Sequence, residues 1–456
     1  MRIVAKFGGT SVKDADMMKQ VREIVAGISK EGNEIVVVVS AMAGVTDMLL
    51  GELKKLPEQT EEEVSAFVNT LHAKHEEALK KSAPKKWRKS AEEVKSLTEK
   101  LRETLISLRH TGCTDRSKDF VAAFGEKLSA VILSACISEK KRVKYFYGDG
   151  GLIMTTGEFG DAKPLMELTR KNVKEKVLPL LKKKTVPVIT GFMGCTKEGY
   201  TTTLGRGSSD YIASIVGACI DAGEIQIWTD VDGILTASPK IVKNAKLLES
   251  VSFMEASEIA YFGAKVLHPK TILPAMDKDI PVRILNTYNP SCKGTLIVSR
   301  GPKKEKTLKA ITAKKGVYMI DITSPSMLGM PGFLSRVFDI FHRYEVSIDT
   351  IATSEISVSL TVDDHRNLNG VMKELEQFSG ARLIKDRASV CVIGQGTRQT
   401  PGIIGRIFSC MGEKGINVEV ISMGASEIST TFIVKDEDAE KAVIALHDEF
   451  FPEVAK

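Results

Sequence analysis

Apolar positions over the first 300 residues alternate between short unbroken runs and longer stretches spaced by three and four. Ile3-Val4-Ala5 and Ile35 to Val39 are continuous, the second entirely β-branched, as expected of strands buried on both faces. Between them Met17, Val21, Ile24, Val25 and Ile28 recur at helical spacing behind Asp14, which is placed as an N-cap. Phe120 to Cys136 reads as a helix with Phe120, Phe124, Leu128, Val131 and Ile132 on one stripe. Further strands are predicted at Val143 to Tyr147, Val186 to Ile189, Ile225 to Thr229 and Val282 to Leu285. This alternation predicts an α/β fold, a mostly parallel sheet covered by helices. Ligands bind such sheets at the carboxyl ends of the strands.

Beyond residue 300 the rhythm changes. Gly301-Pro302-Lys303-Lys304-Glu305-Lys306 is a polar linker, and after it the chain repeats itself. Pro331-Gly332-Phe333-Leu334-Ser335-Arg336-Val337-Phe338 returns as Pro401-Gly402-Ile403-Ile404-Gly405-Arg406-Ile407-Phe408, and Ser354-Glu355-Ile356-Ser357 as Ser426-Glu427-Ile428-Ser429. Each copy reads strand, Pro-Gly turn, helix, strand, strand, helix, which predicts two small α+β modules rather than a solenoid. The second copy ends soon after its last helix, so a closing strand must come from elsewhere, near Ile311 or Leu383. The expected domains are 1–300, 307–385 and 386–456, the last two interlocked.

Composition narrows the class. With 456 residues, 43% of them hydrophobic and 27% charged, the chain has the profile of a soluble globular protein of several domains. No apolar stretch reads as long enough to span a bilayer and no secretory signal precedes Lys6, so a cytoplasmic location is expected. The net charge of +6 is modest, and the basic residues between Lys80 and Arg102 are interspersed with glutamates and carry no aromatic series, which argues for a solvated helical face over nucleic-acid binding. Seven scattered cysteines without a C-x-x-C pair argue for reduced thiols and against a zinc site. His72-Ala73-Lys74-His75 lacks a zinc-peptidase pattern and is read as surface.

The chemistry begins at Lys6-Phe7-Gly8-Gly9-Thr10-Ser11, a strand-to-helix turn. Two glycines there let backbone amides approach an anion, a helix N-terminus adds favourable partial charge, and Lys6 is placed to bridge the same oxygens. It is a phosphate cradle without the Walker pattern. Ser40-Ala41-Met42-Ala43-Gly44-Val45-Thr46-Asp47 follows the second strand as a small polar turn. In Thr203 to Asp210, Gly205 and Gly207 free the backbone, Arg206 offers a planar fork for a carboxylate, and Asp210 can order a lysine or a metal-bound water ahead of a helix expected near Tyr211. Trp228 to Ile234 ends another strand and places Asp230 at the sheet's carboxyl edge. Each segment alone is also ordinary turn and capping chemistry; together they describe one anion site.

These segments, with Phe124-Gly125-Glu126 and Phe262-Gly263-Ala264-Lys265-Val266-Leu267-His268-Pro269, resemble the aspartate kinases of the amino acid kinase superfamily, and the repeated modules resemble their paired ACT domains. The likeness runs from residue 3 to about 450. It implies a three-layer amino acid kinase sandwich followed by two ferredoxin-like ACT domains. The implied reaction is transfer of the ATP γ-phosphoryl group, with Mg²⁺ held mainly by phosphates and water, to the side-chain carboxylate of L-aspartate, at the entry to lysine, threonine and methionine. By matching motif, Lys6 binds the transferring group and Asp210 holds that lysine. Arg206 takes the α-carboxylate of aspartate, Glu126 its ammonium, and Thr46 and Ser209 complete the pocket. Gly8, Gly9, Thr229, Asp230, Lys240 and Lys265 line the nucleotide site.

Some positions depart from the family pattern. Ser208 stands where a third glycine is frequent, and Leu235, Ser238 and Lys240 replace a common Tyr, Asp and Arg. In the first module Met327, Met330, Gly332, Phe333, Leu334, Ile348, Asp349, Ser354 and Glu355 resemble the inhibitor-binding segments of lysine-sensitive forms, with threonine or no effector as the alternatives. A homodimer or dimer of dimers is expected of such modules. Two rival readings remain open: a superfamily member acting on glutamate, N-acetylglutamate, carbamate or uridylate, and a catalytically silent amino-acid sensor.

Overall fold

A run of β-branched residues can bury both faces only inside a layered sheet, and the first strands occupy its middle. The computed structural model describes residues 1–205, 207–262, 267–299, 308–328, 331–397, 399–424 and 427–452. Residues 1–234, 249–253 and 266–301 form one unit, and 235–248, 254–265 and 302–456 form the other.

The first unit opens with β1 (Arg2–Phe7), α1 (Ala15–Lys30), β2 (Glu34–Val39), α2 (Val45–Lys55), α3 (Glu61–Ser82), α4 (Trp87–Thr111), α5 (Asp115–Ala122) and α6 (Phe124–Ile137). It continues with β3 (Arg142–Phe146), α7 (Met166–Lys182), β4 (Thr185–Thr190), β5 (Met193–Cys195), β6 (Thr201–Thr203), α8 (Ser208–Ile220) and β7 (Glu224–Thr229). Next come β8 (Ser250–Ser252), α9 (Phe253–Tyr261, nearly all in the second unit), α10 (Leu273–Asp277), β9 (Val282–Asn286) and β10 (Thr295–Val298). The main sheet has the order β3-β4-β2-β1-β7-β9-β10-β8, with every pair from β3 to β9 parallel. Alternate side chains sort to opposite faces. Ile3, Ala5, Phe7, Ile35, Val37 and Val39 pack with α1, α3, α4 and α6, while Val4, Val36 and Val38 are buried on the other side, where α7 and α8 lie.

Several local expectations are corrected. Asp14 does cap α1, accepting from the Met17 N–H at 2.9 Å, but Met18 rather than Met17 enters the core. The glycine turn leads not into α1 but into a single 3-10 turn, Gly9–Val12. The predicted Phe120 helix is two helices broken at Ala123, and α6 is buried all round, so no single stripe describes it. Residues 115–137 contain an 18-residue stretch long and apolar enough to cross a bilayer, contrary to the sequence reading, but 94% of that stretch is buried in the fold, which marks core helices. His75 is fully buried, with its Nδ1 at 2.7 Å from the Leu71 carbonyl, and its pKa is lowered by burial to about 4. The basic hairpin α3–α4 exposes its lysines while Val94, Leu97, Leu101 and Leu105 pack inward.

The second unit carries β11 (Ala310–Thr323), α11 (Phe333–Arg343), β12 (Thr350–Thr353), β13 (Ser357–Val362), α12 (Leu368–Leu375) and β14 (Gly380–Ile393). It ends with α13 (Ile403–Glu413), β15 (Val420–Met423), β16 (Ser429–Lys435) and α14 (Ala439–Phe450). Its antiparallel sheet has the order β12-β13-β11-β14-β16-β15. Strands β11 and β14 are shared along their length: residues 319–323 lie between β13 and residues 380–384, while residues 310–314 pair with 389–393. The Ile311 stretch therefore stands where the second repeat lacks a closing strand. Gly332 and Gly402 take φ values of +90° and +84° at the two equivalent Pro-Gly turns, a conformation that favours glycine.

Candidate active site

Parallel strands in register release their connecting loops at one edge. Here the ladder continues one residue past the strands: the Gly8 N–H donates to Trp228 O at 3.1 Å, Ser40 N–H to Phe7 O at 3.1 Å, and Gly191 N–H to Val39 O at 2.8 Å. The turns after β1, β2, β4 and β7 thus leave side by side.

Lys6, one residue from the end of β1, extends to Asp210 in the first turn of α8, with Nζ 2.5 Å from Oδ1. Their side chains are only 11% and 12% exposed. The pair forms because α8 begins at Ser208, three residues earlier than expected, after Gly207 turns at φ +73°. Gly8 lies beside the lysine head, where a Cβ would be in ordinary contact with Lys6 Nζ at 3.6 Å. Gly9 closes on the β2 turn, where a Cβ would come within 3.0 Å of Ala41 O.

Glu126 lies on α6 against that same β2 turn. Its neighbour Gly125 permits the approach, for a Cβ there would fall 2.8 Å from the Ala41 Cβ. Glu126 is 3% exposed, and its Oε2 has no hydrogen-bond partner. Burial pushes its pKa up to about 8, against backbone hydrogen bonds that lower it. A buried carboxyl with one oxygen left without a partner is costly.

Thr46, half-buried, begins α2. Ser209 passes over the end of β4, where a Cβ on Gly191 would lie 2.4 Å from its Oγ. Thr229 ends β7, its hydroxyl donating at 3.1 Å to the exposed Asp230. The edge therefore gathers Lys6, Gly8, Gly9, Thr229, Ser209 and Asp210, with Glu126 and Thr46 meeting it through the β2 turn. Arg206, Lys265 and Met330 lie outside the described residues. Lys240 is exposed and belongs to the second unit. Sequence reasoning passed over Gly191, although Thr190-Gly191 follows a strand just as Phe7-Gly8 does; it also passed over Asp119, which no local pattern marks.

In the second unit Phe333 is buried, and Met327, Leu334 and Ile348 pack against the same core. Gly332, Ser354 and Glu355 are exposed. Asp349 accepts from the Tyr261 hydroxyl, and burial together with the neighbouring Asp363 pushes its pKa up to about 8.

Comparison with known proteins gives the family. Residues 1–286 match the amino acid kinase family, and residues 320–377 and 390–450 match the ACT domain. Aspartokinase 1, chloroplastic, of Arabidopsis thaliana is 37% identical over 98% of this chain and 80% of that protein. Lysine-sensitive aspartokinase 3 of Escherichia coli is 32% identical over 98% and 99%. The crystal structure of E. coli aspartokinase III with aspartate and ADP superposes with a TM-score of 0.82 at 31% identity, covering 99% of this chain and 100% of that one. Its lysine and aspartate complex gives 0.79 at 31%, covering 98% and 99%. The chain belongs to the amino acid kinase family and, within it, to the aspartokinases, phosphotransferases of amino-acid biosynthesis.

Proposed function

We propose that the chain transfers the γ-phosphoryl group of MgATP to the side-chain carboxylate of L-aspartate, giving 4-phospho-L-aspartate and ADP, as the first step toward lysine, threonine and methionine. The observation that carries this reading is the buried Lys6–Asp210 pair at the edge where the glycine turns converge. A carboxylate oxygen is already nucleophilic at neutral pH, so no general base is needed. It bonds to the γ-phosphorus as the bond to the bridging oxygen breaks, and the electron pair leaves on ADP. The obstacle is the approach of two anions. Lys6, oriented by Asp210, and the amide of Gly9 face the charge spread over the transferring group. The Gly8 N–H is committed to Trp228 O, and Gly8 serves by its lack of a side chain. Glu126 holds the amino-acid ammonium, Arg206 its α-carboxylate, and Thr46 and Ser209 complete the pocket. Thr229, Asp230, Lys240 and Lys265 serve the nucleotide.

L-Lysine is the inhibitor in this reading, bound at the first ACT module with its ammonium groups answered near Asp349 and Glu355. The E. coli complex with lysine and aspartate supports it. The protein works in the cytoplasm as a homodimer or dimer of dimers. In support, Ile351 and Ile421, equivalent positions of the two modules, are 39% and 47% exposed. ATP with L-aspartate and hydroxylamine should yield aspartyl hydroxamate, L-glutamate should yield little, and millimolar lysine should depress the initial rate. Equal products from both amino acids would defeat the aspartate assignment, and a rate indifferent to lysine would defeat the inhibitor assignment.

A further inference from the structure

We infer that Asp119 is the positioning residue that fixes the span of the amino-acid pocket, by tying the helix that leads to Glu126 to the strand that delivers residues 204–210. The inference rests on the proposed aspartate reading and deepens it.

Asp119 sits on α5, seven residues and about two helical turns before Glu126. The chain stays helical in its bonding across the break: the Ala123 N–H donates to Asp119 O at 3.1 Å and the Lys127 N–H to Ala123 O at 3.2 Å. A shift of Asp119 is therefore passed to Glu126. The side chain is 4% exposed, and both oxygens are used. Oδ2 accepts from the Thr203 N–H at 2.8 Å and the Gly160 N–H at 2.9 Å, and Oδ1 accepts from the Thr203 hydroxyl at 2.7 Å.

Those partners are the anchors of the opposite wall. Thr203 ends β6, and its carbonyl accepts from the Ala162 N–H at 2.9 Å. The next residue, Leu204, donates to Phe192 O at 3.2 Å, just past Gly191. Gly205, two residues on, rests against the loop that Gly160 begins: a Cβ there would lie 2.8 Å from Asp161 Oδ1. Arg206, Ser209 and Asp210 follow directly. One buried carboxylate thus joins the wall carrying Glu126 to the wall carrying Ser209 and Asp210. Gly8 and Thr229, on the nucleotide side, hang from β1 and β7 and make no hydrogen bond to it among the described residues.

A purely structural acid would lower stability and disturb both substrates alike. A positioning acid acts on aspartate alone. Asp119→Leu removes both acceptor oxygens, and with them all three hydrogen bonds, at similar size; it orphans two amides and a hydroxyl, and KM for aspartate should rise about thirtyfold. KM for ATP should stay within about twofold. Asp119→Asn should restore KM for aspartate to within about threefold, because the amide oxygen still accepts both N–H groups and its NH2 can donate to the Thr203 hydroxyl. Should Asp119→Leu fail to fold, Thr203→Val tests the same link and should raise KM for aspartate about fivefold with KM for ATP unmoved. Parallel increases in both KM values, or an unshifted KM for aspartate in a folded variant, would overturn the inference. Wild-type enzyme runs beside them in the hydroxamate assay: its inactivity would instead remove the aspartate reading itself.

Discussion

Lys6→Ala should lower kcat by about a thousandfold or more while KM for aspartate moves by less than about threefold. The asymmetry follows from where the ammonium stands. Its charge faces the phosphoryl group, whose charge redistributes most as the bond to ADP breaks, so its loss is felt in the transition state rather than in amino-acid binding. Stability should fall as well, because Asp210 would be left buried without its partner, 12% exposed, at a cost of about 3 kcal/mol. The double variant Lys6→Ala with Asp210→Asn separates the effects: it should regain melting temperature and none of the turnover. Steady-state kinetics and thermal melts check both. Near-normal turnover in Lys6→Ala would remove the lysine from the mechanism.

Glu126→Gln should raise KM for aspartate about a hundredfold, with a smaller loss in kcat, since a buried charge-assisted contact to the ammonium is replaced by a neutral one. The pH dependence is sharper evidence. Burial holds the Glu126 carboxyl at a pKa of about 8 in the empty site, so it is protonated at neutral pH and must release its proton to receive an ammonium. KM for aspartate should therefore fall as pH rises from 6 to 8, by up to about tenfold per unit, and level off above 8. In Glu126→Gln that slope should disappear. Stability runs the opposite way. The folded-state value lies above the ordinary 4.5, so the folded protein holds the proton more tightly than the unfolded chain between pH 4.5 and about 8. The contribution is complete below 4.5 and is lost as pH rises through that window. The empty wild type should lose melting temperature there relative to Glu126→Gln, and saturating aspartate should reverse part of the loss. A pH-independent KM in the wild type would show that Glu126 does not meet the ammonium.

The parallel strands were legible in the sequence because burial on both faces leaves an unbroken apolar run, as in Ile35 to Val39. The repeat in the C-terminal unit was legible because two copies of one Pro-Gly turn need the same glycine conformation, and the shared sheet followed from the want of a closing strand after α14. Helix α6 was misread because periodicity exists only where one face meets water, and this helix meets none. The start of α8 at Ser208 was missed because Gly207 ends the turn by its backbone angle, which residue type suggests but does not fix. His75 looked like surface because its hydrogen bond to Leu71 and its burial against neighbouring helices are tertiary facts. At the site, Lys6, Glu126, Ser209 and Asp210 came from motifs. Asp119 could not, because its meaning lies in two amides 41 and 84 residues away.

The most direct test of the account is a crystal structure of the protein with L-aspartate and a non-hydrolysable ATP analogue. The account predicts Lys6 Nζ within about 3 Å of a γ-phosphoryl oxygen while still paired with Asp210, and the ammonium of aspartate on Glu126. Nucleotide and amino acid bound with Lys6 and Glu126 turned away from both would contradict it.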